Sequence, residues 1–101
     1  MENEAVRNAR RRGEILVILR RSHPNWVRTE TIRNTLAKIG VFVEMHSLLS
    51  NLVWLEDRGY IETERRKGDP SRVSVEISQI LPKGFDLIDG NNAVRDDGVE
   101  F

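Results

Sequence analysis

The stretch from Leu48 to Gly68, LLSNLVWLEDRGYIETERRKG, decides the fold, because the period of its apolar residues changes partway along. Leu48, Leu52 and Leu55 recur at i, i+4 and i+7 and predict one buried face of a helix that opens at about Glu44. Gly59, directly after Glu56-Asp57-Arg58, occupies the left-handed position at which helices stop. From Tyr60 and Ile61 the pattern alternates, and a strand is expected through Glu62-Thr63-Glu64-Arg65-Arg66. On the return strand Val73, Val75 and Ile77 are expected on one side and Ser74, Glu76 and Ser78 on the other. Lys67-Gly68-Asp69-Pro70-Ser71 supplies turn chemistry between the two runs, which makes them a hairpin.

Working outward toward the N-terminus, Ile32, Leu36 and Ile39 form the stripe of another helix, with Thr29 as its expected N-cap and Gly40 as its end. Val41, Phe42 and Val43 are too short for a domain linker and suit a turn between two packed helices. A longer helix is expected from Glu2 to Ser22, with Ala5, Ala9, Ile15, Leu16, Ile18 and Leu19 as its apolar side. Pro24 ends it, and Trp26-Val27-Arg28 is a short extended piece. Toward the C-terminus, Pro82 opens a last helix through Phe85, Leu87 and Ile88, stopped by Gly90. The order is helix, short strand, two helices, two-stranded hairpin, helix. It is that of an α+β winged helix-turn-helix, a three-helix core with a two-stranded β-hairpin wing and a short C-terminal helix. Residues 1–90 are assigned to this domain. Residues 91–101, with Asp96, Asp97 and Glu100 and little to bury, are expected to be a mobile acidic tail.

At 101 residues, 39% apolar and 32% charged, the chain fits one globular domain with a modest core. The longest aliphatic run, Ile15 to Leu19, is far short of the roughly 20 residues of a membrane span. No cysteine and an acidic N-terminus without signal-peptide order fit a cytoplasmic protein with no membrane partner. The 16 Lys+Arg and 16 Asp+Glu cancel, a balance that conceals two unlike parts. Residues 1–83 hold 15 Lys+Arg and 11 Asp+Glu, net +4, and residues 84–101 hold one Arg and five acids, net −4.

Catalysis is not expected. There is no Gly-rich phosphate loop and no cysteine nucleophile, and His23 and His46 lack metal-ligand spacing, so no cofactor, metal or small-molecule ligand is implied. Double-stranded DNA is the expected partner. Arg65, Arg66, Lys67 and Arg72 gather at the hairpin tip, where cations neutralise phosphates and release counterions, unless they only solvate the tip and protect an edge strand. Arg28 and Arg33 lie near the start of the second helix, within reach of a phosphate at its positive end. The basic side of the first helix, Arg7, Arg10, Arg11, Arg12, Arg20 and Arg21, reads better as a solvated or packing face. On the third helix His46, Ser47 and Ser50 are the residues able to meet base edges, and there is no Arg or Lys between Glu44 and Asp57. Leu49, Val53 and Trp54 make that helix more apolar than a groove-facing helix requires. They form a possible protein interface, although Trp54 packed under the hairpin is the plainer reading.

The run Asn51-Leu52-Val53-Trp54-Leu55-Glu56-Asp57-Arg58-Gly59-Tyr60-Ile61, with Leu81-Pro82-Lys83-Gly84-Phe85-Asp86, resembles small winged-helix proteins of Mu-like tailed bacteriophages and prophages. The likeness runs from about Arg12 to Gly90 and rests mostly on fold-bearing positions 52, 54, 55, 59, 84 and 86. It implies a winged helix-turn-helix acting in the cytosol of an infected or lysogenic bacterium. Two positions depart from the general pattern. Glu44 stands where a capping Ser or Thr often opens the recognition helix, and Leu81 where a Thr often caps the last helix.

Two functions follow as expectations. The first is a DNA-binding phage or prophage transcriptional regulator, a homodimer by analogy with two-fold half-site readers. The second is an interaction or assembly module that uses the apolar face of the third helix. The acidic tail is further expected to compete with phosphate for the wing.

Overall fold

The computed structural model describes residues 3–68 and 74–101. Its elements run α1 (Glu4–Ser22), β1 (Val27–Arg28), α2 (Thr29–Lys38), α3 (Met45–Asp57), β2 (Ile61–Arg65), β3 (Val75–Ile80) and α4 (Pro82–Asp89), followed by a 3₁₀ turn at Asn91–Ala93. Asn3 caps α1 by accepting from the Val6 amide at 2.9 Å, and Glu4 sits favourably at the positive end of the helix. Ile15, Leu16 and Leu19 of α1, Ile32 and Leu36 of α2, and Leu48, Leu52 and Leu55 of α3 are wholly buried together, as the helical stripes require. Burying one such side chain is worth roughly 1.5–3 kcal/mol, so these eight dominate the three-helix core.

The hairpin is part of a three-stranded antiparallel sheet in the order β1-β3-β2. The Trp26-Val27-Arg28 segment was expected only as an extended piece. It adds an edge strand, with Val27 opposite Ser78 and Arg28 opposite Ile77. The expected alternation on the return strand also needs correction. Glu64 pairs with Ile77 but Arg65 pairs with Val75, so the register shifts by one residue between them. A bulge of this kind reverses which side of the strand faces inward. Val75 is buried before it and Ser78 and Ile80 are buried after it, while Ile77 is half-buried. The tip residues Asp69, Pro70, Ser71, Arg72 and Val73 lie outside the described residues.

Thr29 is the first residue of α2 and not its N-cap; Arg28 holds that position without a side-chain cap. The Thr29 hydroxyl instead donates to the carbonyl of Val75 at 2.7 Å, fastening the start of α2 to the base of the wing. Glu44 and Leu81 likewise precede α3 and α4 without side-chain caps. Pro82 in the first turn of α4 supplies the preset backbone instead.

Residues 94–101, expected in a mobile tail, lie against the helical body. The Glu100 amide donates to the Ala9 carbonyl of α1 at 3.0 Å, Arg12 donates to the Gly98 carbonyl at 3.1 Å, and Val99 is buried in the main core. Charge counting concealed this because the segment's few apolar residues, Val94, Val99 and Phe101, are scattered among acids. The space comes from Gly13, where a Cβ would stand 2.0 Å from the Glu100 carbonyl oxygen. No helix among the described residues is long and apolar enough to cross a membrane.

Candidate nucleic-acid interface

The start of α2, the start of α3 and the base of the wing converge on one cleft of about 300 Å³, lined by Thr29, Glu30, Met45, Leu49, Arg66, Ser74 and Val75. The convergence follows from local chemistry: Thr29 is tied to Val75 as above, and the Arg66 amide donates to the Ser74 carbonyl at 3.1 Å, closing the described part of the hairpin. Arg28, one residue ahead of the cleft, is exposed, as are Arg66 and Lys67. Glu30 brings a negative charge to the same wall, so the cleft is mixed in sign.

On α3, His46 and Ser50 are exposed and Ser47 is half-buried. The His46 ring nitrogen Nδ1 stands 3.3 Å from the Glu44 carboxylate, both in solvent. A pair in water adds little. Leu49, Val53 and Trp54 do not make one surface. Residues 49 and 54 lie about 140° apart around an α-helix. Accordingly Leu49 faces the cleft beside the wing, Val53 is buried in the core, and Trp54 points the other way.

Trp54 packs neither under the hairpin nor in open solvent. Its ring lies between two guanidinium groups, Arg12 at 3.9 Å and Arg58 at 4.4 Å from the centroid. Gly98 of the C-terminal segment comes so close that a Cβ there would stand 2.6 Å from the ring. Cations stacked on indole are favourable, and here they also draw in the acids of the segment. The Asp96 carboxylate accepts from the Tyr60 hydroxyl at 2.7 Å, the Gly98 amide at 2.8 Å and Arg58 at 3.4 Å. Burial pushes the Asp96 carboxyl up, but the Tyr60 and Gly98 hydrogen bonds and the Arg58 and Arg12 charges outweigh it and hold it below the usual range. Tyr60 is pushed up to about 12 by burial, by donating to Asp96 and by that carboxylate's charge, against the opposing charge of Arg58.

Several expected contacts are engaged elsewhere. Arg65 is gripped by Glu56 of α3, Nη2 to Oε1 at 2.6 Å and Nη1 to Oε2 at 3.2 Å. Arg33 donates from Nε to the Val43 carbonyl at 2.9 Å, bracing the turn between α2 and α3. Arg72 lies outside the described residues. The basic side of α1 is a set of contacts more than a solvated face. Arg12 donates to the buried Asn51 side chain at 3.0 Å, Arg11 pairs with Glu14 at 3.2 Å, Arg10 approaches Glu100 at 3.7 Å, and Arg20 pairs with Asp89. The acids of the C-terminal segment thus meet Arg58 and Arg10, away from Arg66 and Lys67, and competition with phosphate at the wing finds no contact among the described residues. His23 stands edge-on to Phe85 at 4.9 Å, a packing role.

Glu56 escaped the sequence reading although a signal was there. Thr63 and Arg65 alternate onto one side of β2, and a carboxylate in the last turn of a helix sits at its unfavourable negative end, which calls for a cationic partner.

A three-helix core with α2 and α3 joined by a short turn, and a β2–β3 hairpin packed beside α3, defines a winged helix-turn-helix protein. The crystal structure of a PadR family transcriptional regulator from Eggerthella lenta shares the fold, with a TM-score of 0.58 and 19% identity, covering 82% of this chain and 72% of that one. No protein-family model and no curated protein matches the sequence.

Proposed function

We propose that this chain is a DNA-binding winged-helix regulator of phage or prophage genes, cytoplasmic and acting as a homodimer. The observation that carries the reading is the convergence of the α2 start, the α3 start and the wing base on one cleft with Arg66 in its wall. That is the arrangement in which a helix-turn-helix meets a major groove while the wing meets flanking backbone. The PadR family regulator of similar fold supports the same class. In this reading Arg28, Arg66, Lys67 and Arg72 meet phosphates, Arg33 braces the turn between α2 and α3, and His46, Ser47 and Ser50 supply the few base-edge contacts. The assembly-module reading draws less support, because Val53 is buried and Trp54 is covered by the chain's own C-terminal segment.

The test is the salt dependence of duplex binding by fluorescence anisotropy. Each phosphate contact adds about 0.9 to the slope of log affinity against log salt. Replacing Arg66 and Lys67 together with alanine should therefore flatten the slope by about 1.8. An unchanged slope in the folded double variant would remove the wing from the interface.

A further inference from the structure

One of the wing cations expected to meet phosphate already has an anionic partner. Arg65 presents two nitrogens to both oxygens of Glu56, and Thr63 also meets Glu56 Oε2. A planar fork on a carboxylate is the strong form of ion pair, and the two side chains are only 25% and 28% exposed, so solvent screens it incompletely. Glu56 itself stands in the last turn of α3, where the helix carries partial negative charge and a carboxylate is disfavoured. Its position is explained by what it grips on β2, not by the helix that carries it.

We infer that Glu56 withholds Arg65 from the DNA backbone: the pair braces the wing against α3 and removes one cation from the electrostatic part of duplex binding. The inference rests on the DNA-binding reading and assigns Glu56 as a positioning residue that limits sequence-independent affinity. With Arg65 neutralised, phosphate contact among the described wing residues falls to Arg66 and Lys67. A protein with one phosphate contact fewer binds non-specific duplex less tightly, and its specificity depends more on α3.

The experiment compares wild type, Glu56→Gln, the double variant Glu56→Gln with Arg65→Gln, and Glu64→Gln on one random-sequence duplex from 50 to 200 mM salt. Glu64→Gln removes the same charge from exposed β2 without touching the pair. Glu56→Gln should bind more tightly at low salt and show a slope steeper by about 0.9, an extra loss of about 3.5-fold across that range. The double variant should keep the wild-type slope, and Glu64→Gln should not steepen it. A Glu56→Gln slope equal to wild type, or steepened no more than that of Glu64→Gln, overturns the inference while leaving DNA binding intact. A double variant shallower than wild type by about 0.9 overturns it too, because Arg65 would then be reaching phosphate in the native protein. The double variant carries the test alone if Glu56→Gln fails to fold. Failure of wild type to bind duplex even at 50 mM salt overturns the DNA-binding reading and this inference together.

Discussion

Replacing Gly13 with alanine in the middle of α1 should destabilise the protein, against the usual rule for helix interiors. In an open helix the change gains about 1 kcal/mol, since glycine is the poorer helix former. Here the new methyl carbon would stand 2.0 Å from the Glu100 carbonyl oxygen and 2.8 Å from its carbon. Both are backbone atoms, so no side-chain rotation relieves the clash and the C-terminal segment must withdraw by more than an ångström. Withdrawal breaks the Glu100 to Ala9 and Arg12 to Gly98 hydrogen bonds, worth about 1 kcal/mol each. It also uncovers Val99, worth about 1.5 kcal/mol. Against this gross loss of about 3.5 kcal/mol stand the helix gain of about 1 kcal/mol and the backbone entropy recovered where the segment loosens, about 1.5 kcal/mol for the equivalent of one freed residue. The expected net is a loss of about 1 kcal/mol. With a urea m-value of about 1.5 kcal/mol/M the midpoint should fall by about 0.7 M. The same substitution in a chain lacking residues 94–101 should raise the midpoint by a similar amount, because the obstruction is gone. A Gly13→Ala midpoint equal to or above wild type in the full chain would refute the reasoning.

Acidification tests the Asp96 contacts. Its folded carboxyl titrates below the usual range, so the stability it contributes is present above the ordinary carboxylate pKa and is lost as pH falls through the folded value. Asp96→Asn should flatten the acid limb of a stability-against-pH curve. Tyr60 has the opposite sign: with its hydroxyl pushed up to about 12, the stability it contributes is fully present below the ordinary tyrosine value of about 10 and is lost as pH rises from there through the folded value. The chain has one tyrosine, so ultraviolet absorbance titration reads this group alone, and Asp96→Asn should bring its midpoint down. Ser78 is wholly buried and its hydroxyl has no hydrogen-bond partner among the described residues, so Ser78→Ala should raise stability by about 1 kcal/mol in urea melts. Thr29→Val should cost about 1 kcal/mol by leaving the Val75 carbonyl without its donor, and amide hydrogen exchange should quicken at the wing base.

The core helices and the hairpin were legible because each rests on a repeated signal. Leu48, Leu52 and Leu55 repeat at helical spacing, and the switch to alternation after Gly59 marks the wing. What stayed hidden rests on single residues and on contacts distant in sequence. The register shift at Glu64 and Arg65 inverted the inner side of β3, and no composition rule marks a bulge with no glycine at its site. The C-terminal segment looked like tail because its apolar residues are scattered singly among acids with no helical or strand period. Its docking depends on the notch at Gly13, on Val99 and on the Arg12–Trp54–Arg58 stack, which chain folding brings together from three places. At the candidate interface, the sequence shows residue types on α3 and the wing but not which of them are already engaged within the fold. Arg65 and Arg33 look alike in sequence to Arg66 and Arg28, and only the fold brings Glu56 to one and the Val43 carbonyl to the other.

The most direct test of the DNA-binding reading is selection from a random duplex pool at near-physiological salt, with sequencing of the retained fraction. The reading predicts that wild type retains duplex and enriches a motif, and that the Arg66 and Lys67 double-alanine variant retains far less. Folded wild-type protein that retains no duplex above a protein-free control would contradict it.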